Sequence, residues 1–205
     1  MFAADQRVPY SVAARELLRN TLLDAACHEL MGNRWSEITM ADIALAAGVS
    51  RQTLYKEFGS REEFAQALVL REAERFLDAV EQALAANVTA PVKALTAAFE
   101  LFLRTAAENP VVRAIVLEEG AEELLSLMTS QGKPIVERAA DRLTAVIVAS
   151  WPRIRRRNAE LLSDVLVRLA ISYAALPKGD ADTTAAAITS LLEPYVEGLV
   201  AAGAR

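Results

Sequence analysis

Residues 39–58, TMADIALAAGVSRQTLYKEF, restrict what this chain can fold into more than any other stretch. Ile43, Ala44 and Ala47 recur at helical spacing, Gly48 interrupts them, and Leu54 and Phe58 resume the apolar face four residues apart. Two short helices joined by a tight turn follow from that pattern. Thr39 caps the first through its hydroxyl, with Asp42 three residues on complementing the free amides. Gly48 supplies the positive φ that closes a helix, Val49 plugs the angle, and Ser50 caps the second helix. Ala44 is small enough for that second helix to cross close by. With Leu54 and Phe58 turned inward, Arg51, Gln52, Thr53, Tyr55 and Lys56 lie on or beside the exposed face. Donors and a methyl group suit base edges, and a phenol and a cation suit phosphates, which is the chemistry of a recognition helix in a major groove. A purely structural hairpin accounts for Ile43, Gly48 and Leu54 but not for so polar a face.

The surrounding pattern is helical throughout. A first helix runs from Tyr10 to about Met31, with Leu18, Leu22, Ala25, Ala26 and Leu30 inward, and ends at Gly32-Asn33. Ser60 with Glu63 forms a capping box that opens a long helix to about Ala86. Pro91 starts a helix to Glu108, and Asn109-Pro110 breaks it and starts the next, which Gly120 stops. Further helices are expected over Ala121–Met128, Pro134–Trp151, about Arg156–Leu176 and about Asp182–Ala202, and no strand alternation or repeat is visible. The expected class is all-α.

Composition narrows the function. The chain has 205 residues, 53% of them hydrophobic, enough for a substantial core. No apolar run is long enough to span a bilayer and no signal-peptide core is present, while a single cysteine, Cys27, suits a reducing compartment. The expected location is cytoplasmic. Residues 1–61 carry seven basic and seven acidic side chains; the remaining residues carry fifteen against twenty, the whole net charge of −5. An electrically neutral N-terminal part with a basic patch on an acidic body neutralises phosphates where it touches and keeps unspecific DNA binding low.

Together, Thr39, Ile43-Ala44, Ala47-Gly48-Val49-Ser50, Thr53-Leu54-Tyr55, Phe58 and Ser60-Arg61-Glu62-Glu63-Phe64 resemble the DNA-binding signature of the TetR family of bacterial transcriptional regulators, over Leu17 to Leu68. The resemblance implies a helix-turn-helix domain over 1–60 and a larger helical bundle over 61–205 for ligand binding and dimerisation. It implies a ligand-responsive repressor that binds a palindromic double-stranded DNA operator as a homodimer. DNA-contacting residues are then Thr39, Arg51, Gln52, Thr53, Tyr55, Lys56 and Arg61, with Tyr55 and Lys56 at phosphate and Gln52 or Thr53 at bases. The N-terminal module also resembles repressors of alkane and fatty-acid metabolism, which implies a fatty acid or acyl derivative as effector.

In the second domain the residues themselves suggest an apolar pocket. Phe99, Phe102, Leu103, Ile115, Leu124, Met128, Ile135, Ile147 and Trp151 supply far more apolar surface than polar handles, and alanines at 97, 98, 106, 107, 139, 140 and 145 leave space between helices. Any one of these is equally a core residue. Leu162, Val165 and Leu169 on one terminal helix, and Ile188, Leu192, Tyr195 and Leu199 on the other, suit a four-helix dimer interface or the closure of one subunit's own bundle.

Other chemistry finds little support. Cys27 and His28 are adjacent, about 100° apart on a helix, and cannot share a metal unaided. The carboxylates of Glu118, Glu119, Glu122 and Glu123 flank Gly120 as a solvated junction, and no metal site or cofactor is expected. The basic stretch Arg153 to Arg157 has no assigned role. No nucleophile has a base at hand, so no enzyme is expected. The alternative reading is a helical lipid-binding carrier whose hairpin does not touch DNA.

Overall fold

Short-range capping sets most of the helix boundaries. The computed structural model describes residues 9–117, 124 and 133–202, without the side chains of 116, 117, 133–135 and 202. Among the described residues there are nine helices and no strand, so the fold is all-α as expected. They are α1 (Tyr10–Glu29), α2 (Met40–Ala46), α3 (Arg51–Phe58), α4 (Arg61–Ala86), α5 (Pro91–Glu108), α6 (Pro110–Leu117), α7 (Lys133–Ser150), α8 (Arg156–Ala175) and α9 (Ala181–Ala202). The helix expected over Ala121–Met128 lies outside the described residues except for Leu124, which is buried. No helix among the described residues is long and apolar enough to cross a membrane.

α4 opens on the anticipated capping box. The Ser60 amide donates to the Glu63 carboxylate (2.8 Å) and the Glu63 amide to the Ser60 hydroxyl (3.0 Å). At the Asn109-Pro110 break the Asn109 side-chain carbonyl accepts from the amides of Val111 (2.9 Å) and Val112 (3.1 Å), which caps α6. α9 continues through Pro194, which has no amide to donate. The apolar contacts of Ile188 and Val196 on either side of it, both buried in the core, hold the helix together there.

The chain divides between Leu68 and Val69 into two compact units, a boundary inside α4. In the first unit Leu22, Trp35, Ile43, Leu54, Phe64 and Leu68 are buried, and the Phe58 and Phe64 rings meet edge-to-face with centroids 4.8 Å apart. Burial of each such side chain stabilises the fold by about 1.5–3 kcal/mol. In the second unit α5 packs on α9, α7 on α8, and both α5 and α6 touch α8. Leu84, Phe99, Leu103, Leu143, Ile147, Leu162 and Ile188 share one core. On its surface Arg142 of α7 donates to three carboxylates of α4: Glu81 (2.8 Å), Asp78 (2.8 Å) and Glu74 (2.7 Å). Arg138 also pairs with Glu74. The hydrogen bonds from Glu81 and Asp78 hold the Arg142 guanidinium charged well beyond its ordinary range.

Candidate nucleic-acid interface and effector cavity

The α2–α3 pair is built from contacts between near neighbours. The Asp42 amide donates to the Thr39 hydroxyl (3.2 Å) and the Thr39 amide to the Asp42 carboxylate (2.8 Å), so both ends of the box are closed. The Thr39 hydroxyl, itself 2.6 Å from that carboxylate, holds Asp42 below the usual carboxylate range. Gly48 has φ +70°, and the Val49 amide reaches back to the Ala44 carbonyl at 2.9 Å, which turns the chain sharply. Ser50 then caps α3 by accepting from the Thr53 amide (3.1 Å).

On α3, Leu54 and Phe58 are buried while Arg51, Gln52 and Lys56 are exposed and Thr53 and Tyr55 half-buried. The Arg51 guanidinium lies over the Tyr55 ring, 5.2 Å from its centroid. Gln52 and Lys56 form no hydrogen bond or ion pair with another described residue, so their polar ends face solvent. The single acid of α3, Glu57, is turned away: Arg15 of α1 donates to its carboxylate (2.8 Å) and its side chain is only 13% exposed. Arg19 of α1 donates to the Glu57 backbone carbonyl (2.8 Å) and stacks on Phe58 at 4.1 Å. Neither Arg15 nor Arg19 was singled out in the sequence, because nothing local links them to a residue some forty positions on.

Arg61, grouped in the sequence with the DNA contacts, has another task. Its guanidinium donates to the backbone carbonyls of Ile38 (2.5 Å) and Trp35 (2.7 Å) and stacks on the Trp35 indole at 4.4 Å. It ties the segment between α1 and α2 to the start of α4. Two donors engaged in this way are not offered to a phosphate. Trp35, almost wholly buried, is the residue that sequence inspection passed over; an aromatic beside the Gly32-Asn33 stop was the signal for it. Thr39 likewise has its hydroxyl committed to the α2 cap.

The second unit encloses a cavity of about 210 Å³. Five helices bound it: Phe76, Leu77 and Val80 come from α4, Phe99 and Phe102 from α5, Val111 and Ile115 from α6, Leu143 from α7, and Leu166 and Ile171 from α8. The Phe76 and Phe102 rings lie 5.3 Å apart. Of the residues expected to meet a ligand, Phe99, Phe102 and Ile115 are brought together here. Leu103 and Ile147 are buried in the packed core and Leu124 is buried, and none of the three lines the cavity. Trp151 instead donates its indole N–H to the Val88 carbonyl (2.8 Å), pinning the chain after α4. Met128 and the side chain of Ile135 lie outside the described residues. Ala98, Ala106 and Ala139, three of the small residues expected to leave space, form part of the wall. One wall residue is charged: Glu72 of α4, 6% exposed, accepts from Asn109 (2.7 Å), Arg71 (3.0 Å) and Arg75 (3.2 Å).

The residues proposed for a dimer face separate into two sets. Leu162 and Ile188 are buried in the unit's own core, and Leu169, Leu192 and Leu199 pack against it. Val165 and Tyr195 are exposed, as are their neighbours Leu161 (57%) and Leu191 (80%).

Residues 22–68 match the family model of bacterial regulatory proteins of the tetR family, and residues 91–194 match that of the C-terminal domain of the bacterial tetracyclin repressor. The chain is 38% identical over 192 residues to the HTH-type transcriptional regulator AlkX of Mycobacterium tuberculosis, covering 94% of this chain and 91% of that one. A crystal structure of the TetR family repressor AlkX from Dietzia sp., implicated in biodegradation of n-alkanes, is similar with a TM-score of 0.77 and 36% identity over 89% of this chain and 96% of that one. The fatty acid degradation regulator FadR from Bacillus halodurans is similar in fold alone, with a TM-score of 0.56 and 18% identity over 85% of this chain and 93% of that one.

Proposed function

The chain belongs to the TetR family of bacterial transcriptional regulators, and on that premise we propose that it is a repressor that holds a palindromic operator as a homodimer and releases it when an apolar, fatty-acid-like chain enters its cavity. The observation that carries the reading is the division of labour on α3. Its apolar residues are buried, its acid is neutralised by α1, and Gln52 and Lys56 face outward with Arg51, Thr53 and Tyr55 beside them. One such helix reads only a few base pairs, so useful specificity needs two copies on a two-fold site. Leu161, Val165, Leu191 and Tyr195 supply an exposed apolar face for that second copy. DNA reading is assigned to residues 1–60, and effector binding and dimerisation to 61–205, in the cytosol where the operator is.

The apolar wall and the relatives' links to n-alkanes and fatty acids support the effector class. At about 210 Å³ the cavity is smaller than common small-molecule sites, roughly 300–1,000 Å³. Medium chains therefore fill it, and potency levels off rather than climbing indefinitely with length. Occupancy shifts the population from DNA-competent to DNA-incompetent dimers. α4 is the element concerned, since its later turns line the cavity and its first turn is tied down by Arg61.

Selection of a duplex from a random pool, followed by fluorescence anisotropy with added alkyl and acyl chains, tests both halves. A palindrome is expected to emerge and to be released by apolar chains. Release by hydrophilic metabolites, with acyl chains of every length inert, sinks the effector assignment. Chain binding without any preferred duplex would leave a lipid carrier in its place.

A further inference from the structure

Glu72 is the one charged residue in an otherwise apolar wall. Its two oxygens are held differently. Oε1 faces Arg71 and Arg75, which do not line the cavity, while Oε2 accepts from the Asn109 side-chain amide at 2.7 Å. Asn109 in turn caps α6, whose Val111, Val112 and Ile115 are cavity wall. A head group lodged at Glu72 therefore meets a fixed negative acceptor in a region of low dielectric.

We propose that Glu72 selects the effector's head group, so that the site takes an apolar chain ending in an uncharged hydrogen-bond donor, as in a primary alcohol, in preference to the same chain ending in a carboxylate. This rests on the effector cavity proposed above and specifies its chemistry. A hydroxyl exchanges with the Asn109 amide as donor to Oε2, so the buried carboxylate stays satisfied whichever of them donates. A carboxylate head brings a like charge and no donor, and the arginines that balance Glu72 stand behind it rather than in the wall. An ester head, with no charge and no donor, falls between the two.

Calorimetric titration of the full-length protein with decanol, methyl decanoate and decanoate, above the carboxylate range of pH, tests the assignment. Decanol is expected to bind about tenfold more tightly than decanoate, the worth of one hydrogen bond to a charged acceptor. Glu72→Gln is expected to bring the two within about twofold, since an amide neither repels the anion nor accepts as strongly. Decanoate equal to or tighter than decanol in the unaltered protein overturns the proposal, as does a preference untouched by Glu72→Gln. Should that variant not fold, the ranking of the three heads in the unaltered protein decides by itself. Chains that bind without regard to their heads sink only this proposal, whereas no binding by any chain sinks the effector reading with it.

Discussion

In the first unit the outward-facing residues are positioned by partners three or four places away: Thr39 by Asp42, Thr53 by Ser50, and α4 opens on Ser60 and Glu63 in the same manner. In the second unit the cavity wall draws Phe76, Phe99, Ile115, Leu143 and Ile171 from five helices spread over about half the chain. A surface assembled from neighbours exposes its polar groups cheaply, because the backbone beneath is already determined by caps and turns. A cavity assembled from distant helices exists only when those helices are packed. Substitutions on the first are expected to alter affinity with stability intact, and substitutions in the second to alter packing and ligand response together.

The largest expected effect comes from joining the two plans across subunits. Leu191→Glu with Tyr195→Glu places charge on the exposed apolar face, and if that face meets a second copy the dimer is lost. Operator affinity should then fall by about two orders of magnitude, since two linked half-sites become separate binding events. Sedimentation at micromolar protein checks this, and an intact dimer places the interface elsewhere. Leu192 and Ile188 are poor choices for the same test because both pack in the unit's own core.

Next in size is Arg61→Ala, which removes two bonds to backbone carbonyls and the stack on Trp35. A loss of about 2–3 kcal/mol is expected in chemical unfolding, with both carbonyls left short of a donor. Weaker DNA binding at unchanged stability would instead restore Arg61 to the phosphate contacts. Phe102→Trp acts on the other plan: by filling the cavity it should weaken effector-driven release about tenfold while operator affinity without effector stays constant. A change in that unliganded affinity would show that the wall and the DNA surface are not separable.

Smaller effects sharpen the recognition helix. Lys56→Ala should weaken binding to all duplexes and flatten the salt dependence by about one unit of slope, whereas Gln52→Ala should relax the preference at one position of each half-site. Two variants with the same signature would mean that α3 is read wrongly. The smallest effect is acid sensitivity of the α2 cap. Asp42 has a lowered folded-state pKa, chiefly from the Thr39 side chain, so its contribution is complete above the unfolded carboxylate value of about 3.9 and disappears as pH falls through the folded one. Thermal melts of Asp42→Asn should therefore differ from the unaltered protein near neutrality and converge with it in acid.

Much of the first unit was legible without coordinates because its determinants are local. The Thr39 and Ser60 boxes, the positive φ of Gly48 and the inward Leu54 and Phe58 each follow from residues within one or two turns. Reading by the same rules misplaced the weight of Leu103, Ile147 and Trp151, which pack or anchor rather than line the cavity. It also treated the stripes of α4 and α8 as a connector and a dimer helix, though Leu77, Val80, Leu166 and Ile171 form part of the wall. An apolar stripe specifies that a face is buried and is silent about what buries it.

By itself, then, the amino-acid sequence determined the helices, their breaks and the polar face of α3, since capping bonds, glycine torsions and the helical period involve residues held close by the chain. Only the tertiary structure decided that Arg15 and Arg19 restrain Glu57, that Arg142 grips three carboxylates of α4, and that Glu72 stands alone in an apolar wall. Those pairings join residues from 37 to 68 positions apart, or isolate one charge among side chains from five helices. Such proximity arises when packed helices exclude water from a shared core, and no local spacing encodes which distant partner will be there.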